Sequence, residues 1–126
     1  MSENRKILII EDSPTYQRAL ADELVSRSYD IICANSGEEG LELIKENPPD
    51  LIVLDVMMPR LNGYQVCKSL KENPATKSIP VLMLTAKAEE ADRFWGERVG
   101  ADLYMTKPFD FEVLEKQIER LMKQRV

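Results

Sequence analysis

Five short apolar runs, Ile7 to Ile10, Ile31 to Ala34, Leu51 to Leu54, Val81 to Leu84 and Leu103 to Met105, recur along the chain, each followed by a stretch of helical period. Continuous runs of Ile, Leu and Val suit strands covered on both faces, as in a parallel sheet, better than a sheet with one wet face. Helix signals fill the gaps. Ser13-Pro14 reads as an N-cap with proline at the first helical position, ahead of Leu20 and Leu24. Ser36-Gly37-Glu38-Glu39 reads as a capping box, opening a helix that carries Leu41 and Ile44 and ends at Pro48-Pro49. Further helices are predicted from Gly63 to Lys71, from Glu89 to Val99 with Gly100 as C-cap, and after Asp110, where Leu114, Ile118, Leu121 and Met122 share a face. Five βα units without a linker predict a parallel sheet with helices on both faces. In such sheets ligands sit beyond the carboxyl ends of the strands, near the point where strand order reverses.

The 126 residues have room for one domain, which can bury roughly two-thirds of its unfolded surface without disulfides or a structural metal. Basic residues number 17 and acidic residues 22, and the resulting charge of -5 repels nucleic-acid phosphates. The histidine count is zero, which excludes Ser-His-Asp and Cys-His catalysis, histidine metal sites and a phosphohistidine on this chain. Cys33 and Cys67 lie in apolar surroundings without CxxC spacing and are read as reduced core thiols. The apolar run near the amino terminus is too short for a signal sequence, and no later stretch reaches the length of a membrane span. A soluble cytoplasmic protein without membrane or nucleic-acid partners is expected.

Just after the five runs stand Glu11-Asp12, Asn35-Ser36, Asp55, Thr85-Ala86 and Thr106-Lys107-Pro108. Singly, acids and threonines at such positions often cap helices, and lysines are usually solvated. Together they place three carboxylates, a hydroxyl and an ammonium at one sheet edge. If the first and third strands are neighbours, Asp12 and Asp55 lie on chains about 4.8 Å apart. Unit charges at about 4 Å repel by roughly 4 kcal/mol at an effective dielectric near 20, so the cluster calls for a cation or for protonation. Oxygen donors with room for water favour Mg²⁺ or Mn²⁺ over zinc. Thr85 can donate through its hydroxyl, the small Ala86 lets its backbone N–H approach an oxyanion, and Lys107 supplies a point charge. This arrangement suits a phosphoryl group attacked by a carboxylate.

The stretches ILIIEDSP, PDLIVLDVMMPRLNGYQVC, IPVLMLTA and GADLYMTKPFD resemble, over essentially the whole chain, the receiver domains of the two-component response regulators. The resemblance implies one receiver domain over residues 1–126, with a flavodoxin-like, doubly wound sheet of five parallel strands in the order 2-1-3-4-5. It implies that Asp55 is the phosphoacceptor, that Asp12 ligates the metal directly, that Glu11 helps to hold the ion, and that Met57 offers its backbone carbonyl. Thr85 and Lys107 would contact the phosphoryl group, and Tyr104 would change rotamer together with Thr85. The Lys107-Pro108 bond is implied to be cis. A histidine kinase or histidine phosphotransfer protein is the implied donor in a phosphorelay. The implied output surface is the fourth helix, fifth strand and fifth helix.

Glu11 stands where many members of that family have aspartate. Met57 and Lys87 occupy positions that tune hydrolysis, and an apolar Met57 cannot orient water, which points to slow loss of the phosphoryl group. Asp92-Arg93-Phe94-Trp95-Gly96 also resembles stand-alone, chemotaxis-like responders of motility systems. Ala88, Ala91, Trp95 and Val99 form a helical stripe, so Trp95 reads either as core or as an anchor for a partner. A haloacid-dehalogenase-type phosphatase would need a second acid at the position of Met57. A flavodoxin-like electron carrier would find its phosphate repelled by Glu11-Asp12. No GxGxxG or P-loop motif occurs. A never-phosphorylated interaction module would not need the intact set Asp12, Asp55, Thr85 and Lys107. The expected protein is a single-domain regulator, not a multiple-turnover enzyme, without an attached output domain. It would act through protein association or as a phosphate sink for a shared kinase.

Overall fold

A computed structural model of the chain describes residues 5–85 and 99–124. Its elements are β1 (Lys6–Ile10), α1 (Pro14–Val25), β2 (Asp30–Ala34), α2 (Gly37–Glu46), β3 (Leu51–Asp55), α3 (Gly63–Glu72), β4 (Val81–Thr85), β5 (Leu103–Thr106) and a C-terminal helix (Phe111–Gln124). The five strands pair in parallel in the order β2-β1-β3-β4-β5. The helix predicted from Glu89 to Val99, with Ala86, Lys87 and Trp95, lies outside the described residues apart from Val99 itself.

Strand alternation divides the core between two faces. Leu8, Ile10, Ile52, Leu54, Val81 and Met83 pack with Ile44 of α2 and with Val66, Cys67 and Leu70 of α3. Ile7, Ile9, Leu51, Val53, Leu82 and Leu84 pack on the other face with Leu20 and Leu24 of α1 and with Leu114, Ile118, Leu121 and Met122 of the C-terminal helix. Inner strands β3 and β4 are buried at every residue, whereas the edge strand β5 is only half-buried. That contrast explains why the apolar runs are continuous: each inner strand is covered from both sides. Cys67 belongs to the first cluster and Cys33 packs against the second, so the two thiols are separated by the sheet. Burial pushes the Cys67 thiol up to about 11. No helix among the described residues is long and apolar enough to cross a membrane.

The helix starts settle two local readings. Ser13 caps α1, with its hydroxyl accepting from Tyr16 N at 3.4 Å and Pro14 in the first turn. Ser36 caps α2 by accepting from Glu39 N at 3.1 Å, but Glu39 does not complete the predicted box: its carboxylate accepts from Asn35 N, one residue before the cap, at 2.6 Å. The reciprocal box is instead at α3, where the Asn62 side chain accepts from Gln65 N and Gln65 accepts from Asn62 N.

Candidate functional site

The sheet order puts the ends of β1 and β3 side by side, with β4 next to β3 and β5 beyond it. Glu11 follows β1, held by its N–H donating to Ala34 O at 3.1 Å, and is only 2% exposed. Asp12 beside it is exposed. Asp55 is the last residue of β3 and is 4% exposed, and Thr85, the last residue of β4, is fully buried. Lys107 follows β5, donates its N–H to Thr85 O at 2.7 Å, and precedes Pro108 through a cis peptide bond, as the resemblance implies.

Lys107 is the hub of the polar contacts. Its Nζ donates to Glu11 Oε1 at 2.9 Å and to Asp55 Oδ1 at 3.4 Å. The other Glu11 oxygen accepts from Ser13 N at 3.0 Å, and Asp55 Oδ1 also accepts from Met57 N at 3.4 Å. One carboxylate oxygen from each of Glu11, Asp12 and Asp55 lies within 4.8 Å of the others. Two buried carboxylates, Glu11 and Asp55, therefore share one ammonium, with the exposed Asp12 carboxylate beside them. Burial, and next the charge of Glu11, push the Asp55 carboxyl up from 3.8 to about 7, with Lys107 pulling the other way. For Lys107 burial works against the ammonium, but its bond to Glu11 and the charges of Asp55 and Glu11 outweigh it and raise its pKa.

The donor set fits a hard divalent cation: it offers carboxylate oxygens without nitrogen or sulfur, one of them on the solvent-facing Asp12. Glu11 spends one oxygen on Lys107 and the other on Ser13, which leaves Asp12 and Asp55 as the freer donors. Met57 is 51% exposed and follows Asp55 by two residues. Tyr104 pairs in register with Met83 and Thr85 with Thr106, so Tyr104 and Thr85 share one face of the sheet. The Tyr104 hydroxyl is buried without a hydrogen-bond partner among the described residues.

Three contributors escaped the sequence reading. The Tyr16 ring, in the first turn of α1, lies under Lys107 Nζ at 4.0 Å from its centroid. Gln17 ties the ends of β1 and β2 together, its amide donating to Glu11 O at 3.0 Å and to the Asn35 side chain at 3.0 Å. Gly63 opens α3 directly against the end of β3: its N–H donates to Val56 O, and a Cβ there would sit 2.4 Å from Asp55 O and 2.7 Å from Val56 Cα.

Comparison with known proteins agrees with this geometry. The family model described as response regulator receiver domain matches residues 7–119. Protein PilH of Pseudomonas aeruginosa is 38% identical over 117 residues, which cover 93% of this chain and 97% of that protein. The alkaline phosphatase synthesis transcriptional regulatory protein PhoP of Bacillus subtilis is 42% identical over 120 residues, or 95% of this chain, yet the match spans only 49% of PhoP. The chain thus spans about half the length of several curated relatives and nearly all of another. Among solved structures, the chemotaxis response regulator CheY4 of Vibrio cholerae superposes with a TM-score of 0.89 at 29% identity, covering 94% of this chain and 99% of that one.

Proposed function

The chain belongs to the response regulator receiver domains, and from that premise we propose that Asp55 accepts a phosphoryl group from a phosphohistidine on a partner kinase or phosphotransfer protein. The observation that carries this reading is the single Lys107 ammonium shared between Glu11 and the buried Asp55 at the end of adjoining strands. An Asp55 oxygen attacks phosphorus, the P–N bond breaks, and the imidazole nitrogen keeps the electron pair. Lys107 is already within reach of the Asp55 carboxylate, so it can follow the charge onto the transferred group, with the Thr85 hydroxyl as a second donor.

Mg²⁺ is the proposed cofactor, held by Asp12 and Asp55 with Glu11 behind them and the Met57 carbonyl as a further oxygen. When bound, it screens the carboxylates and draws charge from phosphoryl oxygens. Saturating Mg²⁺ should raise the thermal midpoint, since it binds a cluster assembled only in the folded chain, and Asp12→Ala should remove most of the gain. A midpoint indifferent to Mg²⁺ in the wild type would contradict the site.

Output is proposed to run through Thr85 and Tyr104 to a surface that includes β5 and the C-terminal helix. The output that fits such a switch is a change in affinity for a protein partner. The experiment is incubation with acetyl phosphate and Mg²⁺. One hydroxylamine-labile phosphoryl group per chain is expected, with Tyr104→Ala taking it up normally but losing the gain in partner affinity. Absence of uptake by the wild type would overturn the reading.

A further inference from the structure

We infer that Tyr16 is a positioning residue for Lys107, and that its ring face is the anchor of the ammonium that remains when a cation occupies the carboxylates. The inference deepens the proposed function and rests on it. Among the described residues, the hydrogen bonds of Lys107 Nζ go to Glu11 and Asp55 alone, and the Tyr16 ring covers another side of the same ammonium at 4.0 Å. The Lys107 side chain is 10% exposed, so the contact is largely shielded from water, where a cation over an aromatic face is strongest.

The two kinds of anchor respond differently to the proposed chemistry. Glu11 and Asp55 belong to the cluster that would hold the cation, which would offset their charge toward Lys107, and Asp55 is the group whose carboxylate would become an acyl phosphate. The ring loses nothing. Its π face neither ligates a hard cation nor takes the phosphoryl group, and it sits on the first turn of α1, beside Pro14 and the Ser13 cap. A lysine side chain has four flexible bonds and loses much rotamer freedom when held. With the carboxylates engaged elsewhere, the ring face keeps Nζ beside Asp55 instead of letting it swing into solvent, ready to meet phosphoryl oxygens.

The contact requires a π face and no hydroxyl. At saturating Mg²⁺, Tyr16→Leu should slow phosphoryl uptake from acetyl phosphate about fivefold, and Tyr16→Phe should keep the wild-type rate. Pentafluorophenylalanine at position 16 preserves shape and packing but reverses the charge distribution of the ring, so it should behave as leucine does; it also decides the matter if the leucine variant folds poorly. The ring current supplies a readout independent of rate: the Lys107 ε-methylene protons should resonate upfield in the wild type and in Tyr16→Phe, and should remain so when Mg²⁺ is added. Equal uptake rates for the wild type, the leucine variant and the fluorinated variant would overturn the inference while leaving the proposed function standing. Loss of the upfield shift on adding Mg²⁺ would overturn it as well. A wild type that takes up no phosphoryl group would remove both together.

Discussion

Asp55→Asn is expected to stabilise the metal-free protein above neutral pH by up to about 4 kcal/mol while abolishing phosphoryl uptake. The two effects have one origin. Asp55 is buried next to Glu11, and its carboxyl is raised from 3.8 to about 7 despite the Lys107 ammonium. A carboxyl raised on folding stabilises the native state through its protonated form. That contribution is complete below the ordinary carboxylate range, declines as pH rises from about 4, and is gone once pH passes about 7. Asparagine has the shape of the carboxyl without the charge, so it escapes the decline. The difference between variant and wild type should therefore be small near pH 4 and level off above pH 7. Saturating Mg²⁺ should narrow it, because the cation offsets the repulsion in the wild type and finds fewer charges in the variant. Urea titrations at both pH values measure this. A variant less stable than the wild type at pH 8, or a difference independent of pH, would contradict the electrostatic account of the pocket.

Gly63→Ala should cost about 3 kcal/mol, a fall of about 10 °C in thermal midpoint. The added methyl would lie 2.4 Å from the Asp55 carbonyl and 2.7 Å from Val56 Cα, and both obstacles are backbone. Relief requires α3 to move away from β3, which breaks the Gly63 N–H to Val56 O bond and shifts Asp55 itself. Gly40 makes the useful contrast. A Cβ there meets the far end of the Ile10 side chain at 2.4 Å, and a side chain can rotate away at a smaller cost. The Gly63 variant should also lose much of its stabilisation by Mg²⁺, whereas Gly40→Ala should keep it. Calorimetry with and without Mg²⁺ separates the two; a Gly63→Ala protein melting with the wild type would show that α3 is not wedged against the strand.

Much of this was legible beforehand because local pattern carried it. The strands announced themselves as unbroken apolar runs because β3 and β4 are buried on both faces, and the polar residues that follow the runs do meet at one sheet edge. What sequence spacing could not supply was partnership. Glu11 and Lys107 are 96 positions apart, and nothing local says that the ammonium prefers the glutamate at 2.9 Å to Asp55 at 3.4 Å. Tyr16 reads as an ordinary residue in a first helical turn, and only the fold brings its ring to within 4.0 Å of the Lys107 ammonium, 91 positions away. The Asn62–Gln65 box did have a visible signature, a capping residue followed three positions later by glutamine, but Gly63 drew attention as the helix start instead. Ser36 shows the opposite error: the signature was present, and the reciprocal arm closed on Asn35. Crowding around Gly63 has no signature in one sequence, since it depends on how closely a loop returns to its own strand.

The central claim is that a phosphoryl group arrives on the carboxylate of Asp55, and locating that group measures it most directly. An acyl phosphate is reduced by borohydride to an alcohol, which turns the modified aspartate into homoserine. The protein would be treated with acetyl phosphate and Mg²⁺, reduced, digested and sequenced by mass spectrometry. The account predicts homoserine at position 55 and at no other acidic residue, absent when acetyl phosphate is omitted. A label found on Thr85 or a serine, stable to hydroxylamine, with Asp55 recovered unchanged, would contradict it.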